Sequence, residues 1–112
     1  MKKIEAVIRV EKLNEVRDVL EKSGYPGMMI TRIEGHGRQK GIVQQFRGRE
    51  FKVELLPKIK VEIIARDKDA ENIMAAIAKT AKTGEIGDGK IFVSNIEQAI
   101  RIRTGEKNEE AL

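Results

Sequence analysis

A chain of 112 residues is long enough for one domain with a modest hydrophobic core that folds without cross-links. It contains no cysteine, which excludes disulfides and thiolate metal sites, and no apolar run approaches the roughly 20 residues that span a bilayer. Its 22 basic and 18 acidic residues give a net charge of +4, a mild bias that suits an anionic ligand or acidic partner better than nucleic acid. We therefore expect a soluble cytoplasmic protein.

The first half of the chain predicts a strand, a helix and a second strand. Apolar residues alternate from Lys3 to Val10, which is typical of a half-buried strand, and this N-terminus lacks the apolar segment of a signal peptide. From Glu11 to Ser23 the apolar residues recur at helical spacing, and Gly24 stands where a left-handed C-terminal cap is expected. After a turn at Tyr25-Pro26-Gly27, residues Met28 to Glu34 form another β-prone run.

The second half repeats this order. Alternation over residues 59–63 predicts a strand, and the following helix is expected to be capped by Asp67 or Asp69 and ended by Gly84. Lys90 to Ser94 is a further strand. Two strand–helix–strand units joined by a long link predict an α+β fold, the ferredoxin-like βαββαβ sandwich with both helices on one face.

The segment from Thr83 to Val93 is the most informative in the chain. It reads Thr-Gly-Glu-Ile-Gly-Asp-Gly-Lys-Ile-Phe-Val, so glycines flank an acid, and a lysine and a β-prone run follow. The backbone N–H groups of such a loop can surround an anion, with a cation beside them. A Gly-rich loop that stands alone is more often a simple turn.

Three basic clusters give this loop possible partners. The first is Gly-Arg-Gln-Lys-Gly at residues 37–41, the second is Lys90, and the third is the pair Arg101 and Arg103. If residues 97–103 are extended, the two arginines lie on the same side and can grip a polyphosphate. A solvated arginine ladder is the alternative, but the two Gly-rich loops favour a nucleotide site. The polar residues 104–112 are expected to fray.

The link between the predicted second and third strands is unusually long. It runs from Gly35 to Glu54, whereas adjacent strands are commonly joined by about two to five residues. A loop of this length in a small domain is usually functional. The alternative is a β-hairpin extension with no role beyond packing.

Four segments at these separations resemble one known family. They are Thr83–Val93, Gly35–Gly41, Leu56–Glu62 and Arg101–Gly105. Together they make the chain similar, over essentially its whole length, to the PII signal-transduction proteins of the GlnB and GlnK kind, and closest to GlnK-type regulators. The resemblance implies a single PII-like domain over residues 1–112, with a long flexible effector loop at 37–54, a phosphate-binding loop at 82–90 and a C-terminal tail at 104–112. It also implies a homotrimer with nucleotide sites between subunits.

The resemblance further implies competitive binding of ATP and ADP, and cooperative binding of ATP with Mg²⁺ and 2-oxoglutarate. The residues it assigns to the nucleotide are Met29 and Ile64 near the adenine, then Gly37, Arg38, Gln39, Gly87, Asp88, Gly89, Lys90 and, from the neighbouring subunit, Arg101 and Arg103. The residues it assigns to 2-oxoglutarate are Gln39, Lys40, Gly41, Lys58 and Gly87. The side-chain oxygen of Gln39 would bind Mg²⁺, a cation that prefers oxygen ligands.

The chain departs from the family pattern at two places. Met29 replaces a usual threonine whose hydroxyl meets the base. In the long loop, Phe51 occupies the position of the tyrosine that relatives uridylylate, and Arg49 that of a serine that others phosphorylate. Since Phe51 has no hydroxyl, we expect no modification and control by ligands alone. Arg47 is retained, and in GlnK relatives the matching residue plugs an ammonium channel.

Several functions compete at this stage. The resemblance favours a regulator of an ammonium transporter of the Amt type, cytoplasmic and reversibly associated with the membrane through that transporter. Glutamine synthetase and nitrogenase are alternative targets. An enzyme is not expected, since the lone His36 lies between glycines with no obvious carboxylate partner in sequence and there is no thiol nucleophile. An RNA-binding module of the same fold is the other class, but aromatic residues are only 4% of the chain.

Overall fold

The computed structural model of the chain describes residues 1–35, 42–46, 49–53 and 55–112. Its strands and helices are β1 Lys2–Arg9, α1 Leu13–Lys22, β2 Met29–Gly35, β3 Ile42–Phe46, β4 Arg49–Val53, β5 Leu56–Ala65, α2 Asp67–Ala81 and β6 Lys90–Asn95. Short 3₁₀ turns span Val10–Lys12 and Asn108–Ala111. Apart from the pair β3 and β4, this is the βαββαβ order predicted from the sequence.

The main sheet has four antiparallel strands in the order β2-β5-β1-β6. Each strand–helix–strand unit therefore has a strand of the other unit inserted between its own two strands. This interleaving is the ferredoxin-like topology, so the predicted fold class is confirmed. Along β1, Ile8 lies opposite Ile59 on β5, and Val7 lies opposite Lys90 on β6.

The long link contains a separate two-stranded antiparallel sheet, in which β3 pairs with β4. Ile42 lies opposite Val53, and Phe46 lies opposite Arg49. The link therefore contains hairpin pairing, and the pairing alone does not decide between a functional loop and a hairpin with no role beyond packing. Residues 36–41, 47–48 and 54 lie outside the described residues, so the predicted ligand residues of 37–41 and Arg47 are not placed.

The core lies between one face of the main sheet and the two helices. Alternate residues of β1 and β5 point to this face, as the period of two requires. The largest fully buried side chains are Ile4, Ile8, Val16, Leu20, Ile59, Val61, Ile73 and Ile77. On the opposite face most of the alternating residues of β1 and β5 are charged, with exceptions at Val7 and Ile64. Lys60 pairs there with Glu62 at 3.3 Å and with Glu5 at 3.6 Å.

The predicted helix ends are right at one position and wrong at another. Gly24 follows α1 with φ +89°, and its N–H donates to the Glu21 carbonyl at 3.1 Å, which confirms the predicted glycine cap. At α2 the N-cap is Arg66, with no side-chain cap. The prediction of Asp67 or Asp69 there was wrong, since both lie inside the first turn, where the helix dipole still favours their charge. The helix ends at Ala81, three residues before Gly84.

The C-terminal segment differs from the prediction. Residues 101–105 form a turn, closed by a 2.8 Å hydrogen bond from the Gly105 N–H to the Arg101 carbonyl. The extended segment expected to place Arg101 and Arg103 on one side was therefore wrong. The tail expected to fray is instead hydrogen-bonded to the body of the chain, since the Asn108 N–H donates to the Ala99 carbonyl at 2.8 Å. Among the described residues, no helix has both the length and the apolar character to cross a membrane.

Candidate ligand-binding site

The loop between α2 and β6 is organised around the carboxylate of Asp88. One oxygen accepts the N–H groups of Thr83 and Gly84, each at 2.8 Å. The other accepts the Thr83 hydroxyl and the Nε–H of Arg9, the latter at 3.0 Å. The hydrogen bond from the Thr83 hydroxyl is the largest cause that holds the pKa of Asp88 well below its usual range. Asp88 is therefore an ionised anchor that draws the start of the loop towards β1.

Two glycines give the loop its path. Gly87 and Gly89 have φ values of +105° and +99°, a region that side chains with a Cβ rarely adopt. A Cβ at Gly89 would lie only 1.7 Å from the carbonyl oxygen of Val7, so the loop backbone rests directly on β1. The N–H groups of residues 86–89 donate no hydrogen bond within the described ranges. They are the donors that an anion would use.

Two cations fasten the middle of the loop to the sheet. The Nζ of Lys58 donates to the Gly87 carbonyl at 2.7 Å, and Arg9 donates to the Ile86 carbonyl at 2.9 Å. Lys58 and Arg9 lie directly opposite each other on β5 and β1. Burial, and next the positive charge of Arg9, lower the pKa of Lys58. Lys58 and Arg9 therefore bring two positive charges to the same side of the loop.

A cleft of about 300 Å³ adjoins this region, at the low end of small-molecule sites. It lies between the end of α2 and the loop, and its lining includes Ile77, Ala81, Asp88, Gly89 and Lys90. Its walls do not include Lys58 or Arg9. The cleft therefore shares Asp88, Gly89 and Lys90 with the loop that carries the N–H donors, but it does not include the two cations that fasten this loop.

Comparison with known proteins decides the family. The family profile described as "Nitrogen regulatory protein P-II" matches residues 1–106. The chain belongs to the P-II family. It is 49% identical to nitrogen regulatory protein P-II 2 of Methanothermobacter thermautotrophicus over 112 residues, all of this chain and 97% of the relative. It is 52% identical to P-II of Pasteurella multocida and 54% identical to P-II of Porphyra purpurea, each over the whole of both chains. These matches confirm the recognised family and leave the GlnK type a prediction.

The ligand residues expected of a P-II protein are only partly placed. The structure places Lys58 against the loop that contains Gly87, Asp88, Gly89 and Lys90, and the ligand contacts of these residues stay a prediction. Met29 and Ile64 lie on the paired strands β2 and β5, with Met29 exposed. The remaining predicted residues of the long loop, which are Gly37, Arg38, Gln39, Lys40, Gly41 and Arg47, lie outside the described residues. Phe51 lies in β4, opposite Gln44.

Arg101 and Arg103 lie in the C-terminal turn, and among the described residues neither forms a hydrogen bond or ion pair with the loop 82–90. Arg101 forms an ion pair with Glu106 at 3.0 Å and donates to the Ala111 carbonyl at 3.3 Å. Arg103 is exposed, and Ile102 between them is 98% exposed. The family resemblance implies that both arginines contact phosphates bound at a neighbouring subunit, and this contact stays a prediction.

Sequence reasoning did not assign a role to Arg9 or Thr83. Arg9 ends the alternation of β1 on the face opposite Ile8, where the pattern indicates only an exposed residue. Its contact with Asp88, 79 residues away, depends on the tertiary fold. The role of Thr83 could have been predicted from the sequence, because a hydroxyl at the start of a Gly-rich loop commonly forms hydrogen bonds with nearby loop groups.

Proposed function

We propose that this P-II protein binds ATP or ADP together with 2-oxoglutarate, and passes its ligand state to a target protein through the long loop. The observation that carries the proposal is the hydrogen bond from Lys58 to the Gly87 carbonyl. It joins Lys58, which the resemblance assigns to 2-oxoglutarate, to Gly87, which the resemblance assigns to both 2-oxoglutarate and the nucleotide. Two ligands bound there would share one loop, so each could alter the affinity of the other.

The nucleotide phosphates are proposed to bind the backbone N–H groups of residues 86–89, with Lys90 as the adjacent cation. Arg38 of the same subunit, and Arg101 and Arg103 of its neighbour, would add charge-assisted hydrogen bonds. The carboxylate of Asp88 already accepts four hydrogen bonds, so only its backbone is available to a phosphate. When bound, Mg²⁺ would neutralise phosphate charge, with the side-chain oxygen of Gln39 as its protein ligand.

The dicarboxylate is proposed to bind Lys58, with backbone groups of Gln39, Lys40, Gly41 and Gly87 around it. The position of Lys58 supports this role, because its ammonium group contacts the loop beside Arg9, where a carboxylate would meet positive charge. The Lys58 ammonium group, which donates to the Gly87 carbonyl, would then turn towards the carboxylate or donate to both acceptors. Such an exchange gives the loop a direct means of sensing the ligand.

The assembly is proposed to be a homotrimer, with other copies of this chain covering the exposed apolar residues. The most exposed of these are Met29, Ile86, Phe92, Ile100 and Ile102. Contact with other copies would remove these side chains from water, which is favourable for apolar surface. Sites formed between copies would also bring Arg101 and Arg103 to a neighbour's loop.

The target is proposed to be an ammonium transporter of the Amt type, contacted by Arg47, so that the protein associates reversibly with the membrane through it. Glutamine synthetase and nitrogenase remain the alternative targets. An RNA-binding role is disfavoured by the central strands, because β1 and β5 carry no aromatic residue on which a base could stack. Signalling, not catalysis, is the proposed activity.

Calorimetry tests the ligand part of this proposal. ATP, ADP, 2-oxoglutarate and a single-stranded RNA would be titrated into the protein, with and without Mg²⁺, and native mass spectrometry would give the number of chains. We expect three chains, nucleotide binding, and 2-oxoglutarate binding only with Mg-ATP. Lys58→Gln should weaken 2-oxoglutarate by about 10- to 100-fold while ADP changes little. Lys79→Gln, an exposed lysine of α2, is the charge-matched control. A monomer, or no response to nucleotide at millimolar concentration, would refute the proposal.

A further inference from the structure

The start of the loop between α2 and β6 keeps its shape without an apolar core of its own. Residues 82–86 are all exposed, and Ile86, the only large apolar side chain among them, is 66% exposed. Hydrophobic burial, the usual source of order, is therefore absent from this segment. Its conformation depends on polar contacts, and most of them converge on Asp88.

We propose that the side chains of Arg9, Thr83 and Asp88, which we call the loop clamp, position the backbone N–H groups of residues 86–89 for an anionic ligand without touching that ligand themselves. Asp88 is thus a positioning residue and not a direct phosphate or metal ligand. This inference rests on the nucleotide function proposed above and adds residues that hold the site in its binding shape.

The geometry of Asp88 supports a positioning role. A carboxylate has about four lone-pair sites, and here four donors already occupy them. The carboxylate and the Arg9 side chain that pairs with it are only 24% and 13% exposed. Arg9 also donates to the Ile86 carbonyl, so one guanidinium contacts residues 86 and 88 of the segment whose N–H groups donate no hydrogen bond to the described residues.

The clamp and simple electrostatics predict opposite effects. A negative charge beside a phosphate site opposes phosphate binding, so removing the charge alone should strengthen binding. Removing the clamp should weaken binding, because the N–H donors would then have to be ordered by the ligand itself. The sign of the change therefore separates the two explanations.

The experiment compares Asp88→Asn with Glu85→Gln by calorimetry with ATP and ADP, each with and without Mg²⁺. Both substitutions remove one acid from the same loop and keep the size of the side chain. Glu85 is a matched control because its side chain forms no hydrogen bond or ion pair with the described residues. We expect Glu85→Gln to bind as the parent does or slightly more tightly. Asp88→Asn should bind both nucleotides on the order of tenfold more weakly, equally with and without Mg²⁺.

Thr83 provides an independent test of the same unit. Thr83→Val removes the hydroxyl that bonds Asp88 and should weaken both nucleotides, whereas Thr83→Ser retains the hydroxyl and serves as the conservative rescue. The double variant Thr83→Val/Asp88→Asn should bind no more weakly than Asp88→Asn alone, since both act through one unit. Circular dichroism and native mass spectrometry would verify that each variant keeps the fold and assembly of the parent.

Each outcome bears on the inference. Asp88→Asn binding that is unchanged or tighter overturns the clamp, and so does additive weakening in the double variant. A loss for Asp88→Asn that is confined to Mg²⁺ conditions would instead make Asp88 a metal contact and overturn the positioning role. If the parent itself does not bind nucleotide, the proposed function fails and the clamp fails with it. If the parent binds and only the clamp pattern is missing, the proposed function stands.

Discussion

Gly89→Ala is the substitution whose effect the structure defines most sharply. The new Cβ would lie 1.7 Å from the carbonyl oxygen of Val7 and 2.8 Å from its carbonyl carbon. Real Cβ atoms essentially never approach a neighbour within 3.0 Å, so the loop and β1 must separate by about 1.3 Å. Both contacts are backbone atoms in the sheet, so no side-chain rotation can relieve the clash.

Two costs add at this position. The backbone of Gly89 has φ +99°, and placing a side chain there costs about 1–3 kcal/mol. Separating the loop from β1 resembles overpacking a core, which costs about 1–3 kcal/mol more. Gly84→Ala separates these two costs. Gly84 has φ +92° with nothing within 4 Å of its Cβ position, so its substitution carries the backbone cost without the clash. We therefore expect Gly89→Ala to lower the free energy of unfolding by about 1–3 kcal/mol more than Gly84→Ala does.

Urea unfolding followed by circular dichroism measures this difference. All variants must be compared at one protein concentration, because the proposed assembly into a trimer would make apparent stability depend on concentration. A lower midpoint with an unchanged slope would report stability alone. If Gly89→Ala and Gly84→Ala differed by less than about 0.5 kcal/mol, within the effect of an ordinary surface change, the close approach to Val7 would be refuted.

Three further predictions follow from the core, the loop clamp and the long loop. Ile73→Ala, at a side chain with no exposure, should destabilise the protein by about 2–5 kcal/mol in urea unfolding, while the exposed Glu71→Ala should change stability by less than about 0.5 kcal/mol. Since folding lowers the pKa of Asp88 from 3.8, its ionised form stabilises the fold above that pH, and the advantage of the parent over Asp88→Asn should shrink in unfolding midpoints as the pH falls below 3.8. The Arg47→Ala variant should bind nucleotides normally but should no longer bind membranes that contain an Amt-type transporter. Membrane binding equal to that of the parent would refute the proposed contact of Arg47 with the transporter.

The strands and helices of the main domain could be predicted because their signals are local. The alternation of Ile4 and Ile8 on β1, and the helical spacing of Ile73 and Ile77 on α2, each encode one buried face. The glycine cap at Gly24 is likewise set by its neighbours along the chain. The N-cap of α2 was missed because Arg66 fills that position without a side-chain hydrogen bond, so no preferred capping residue marks it.

The C-terminal segment could not be read from alternation. Residues 97–103 carry a strand-like pattern, but the chain turns at Arg101, where Glu106 supplies both a backbone carbonyl and a carboxylate. Asn108 reinforces the turn, since its side chain accepts the Ala99 N–H at 3.2 Å. Hydrophobic periodicity does not predict these contacts, because they are made by polar and charged groups. The long link likewise contains the paired strands β3 and β4, and its composition did not decide whether they would pair.

The candidate site is a consequence of strand register. The pairing that buries Ile8 opposite Ile59 also places Arg9 opposite Lys58 on the other face of the sheet. The pairing of β1 with β6 sets Val7 opposite Lys90, which carries Gly89 onto the Val7 carbonyl. A slip of one residue would turn Arg9 into the core and remove its bond to Asp88. The buried isoleucines therefore fix the register, and the register in turn fixes the two cations against the glycine loop. For this reason, substitutions in the core that shift β1 should impair ligand binding even where no ligand contact is changed.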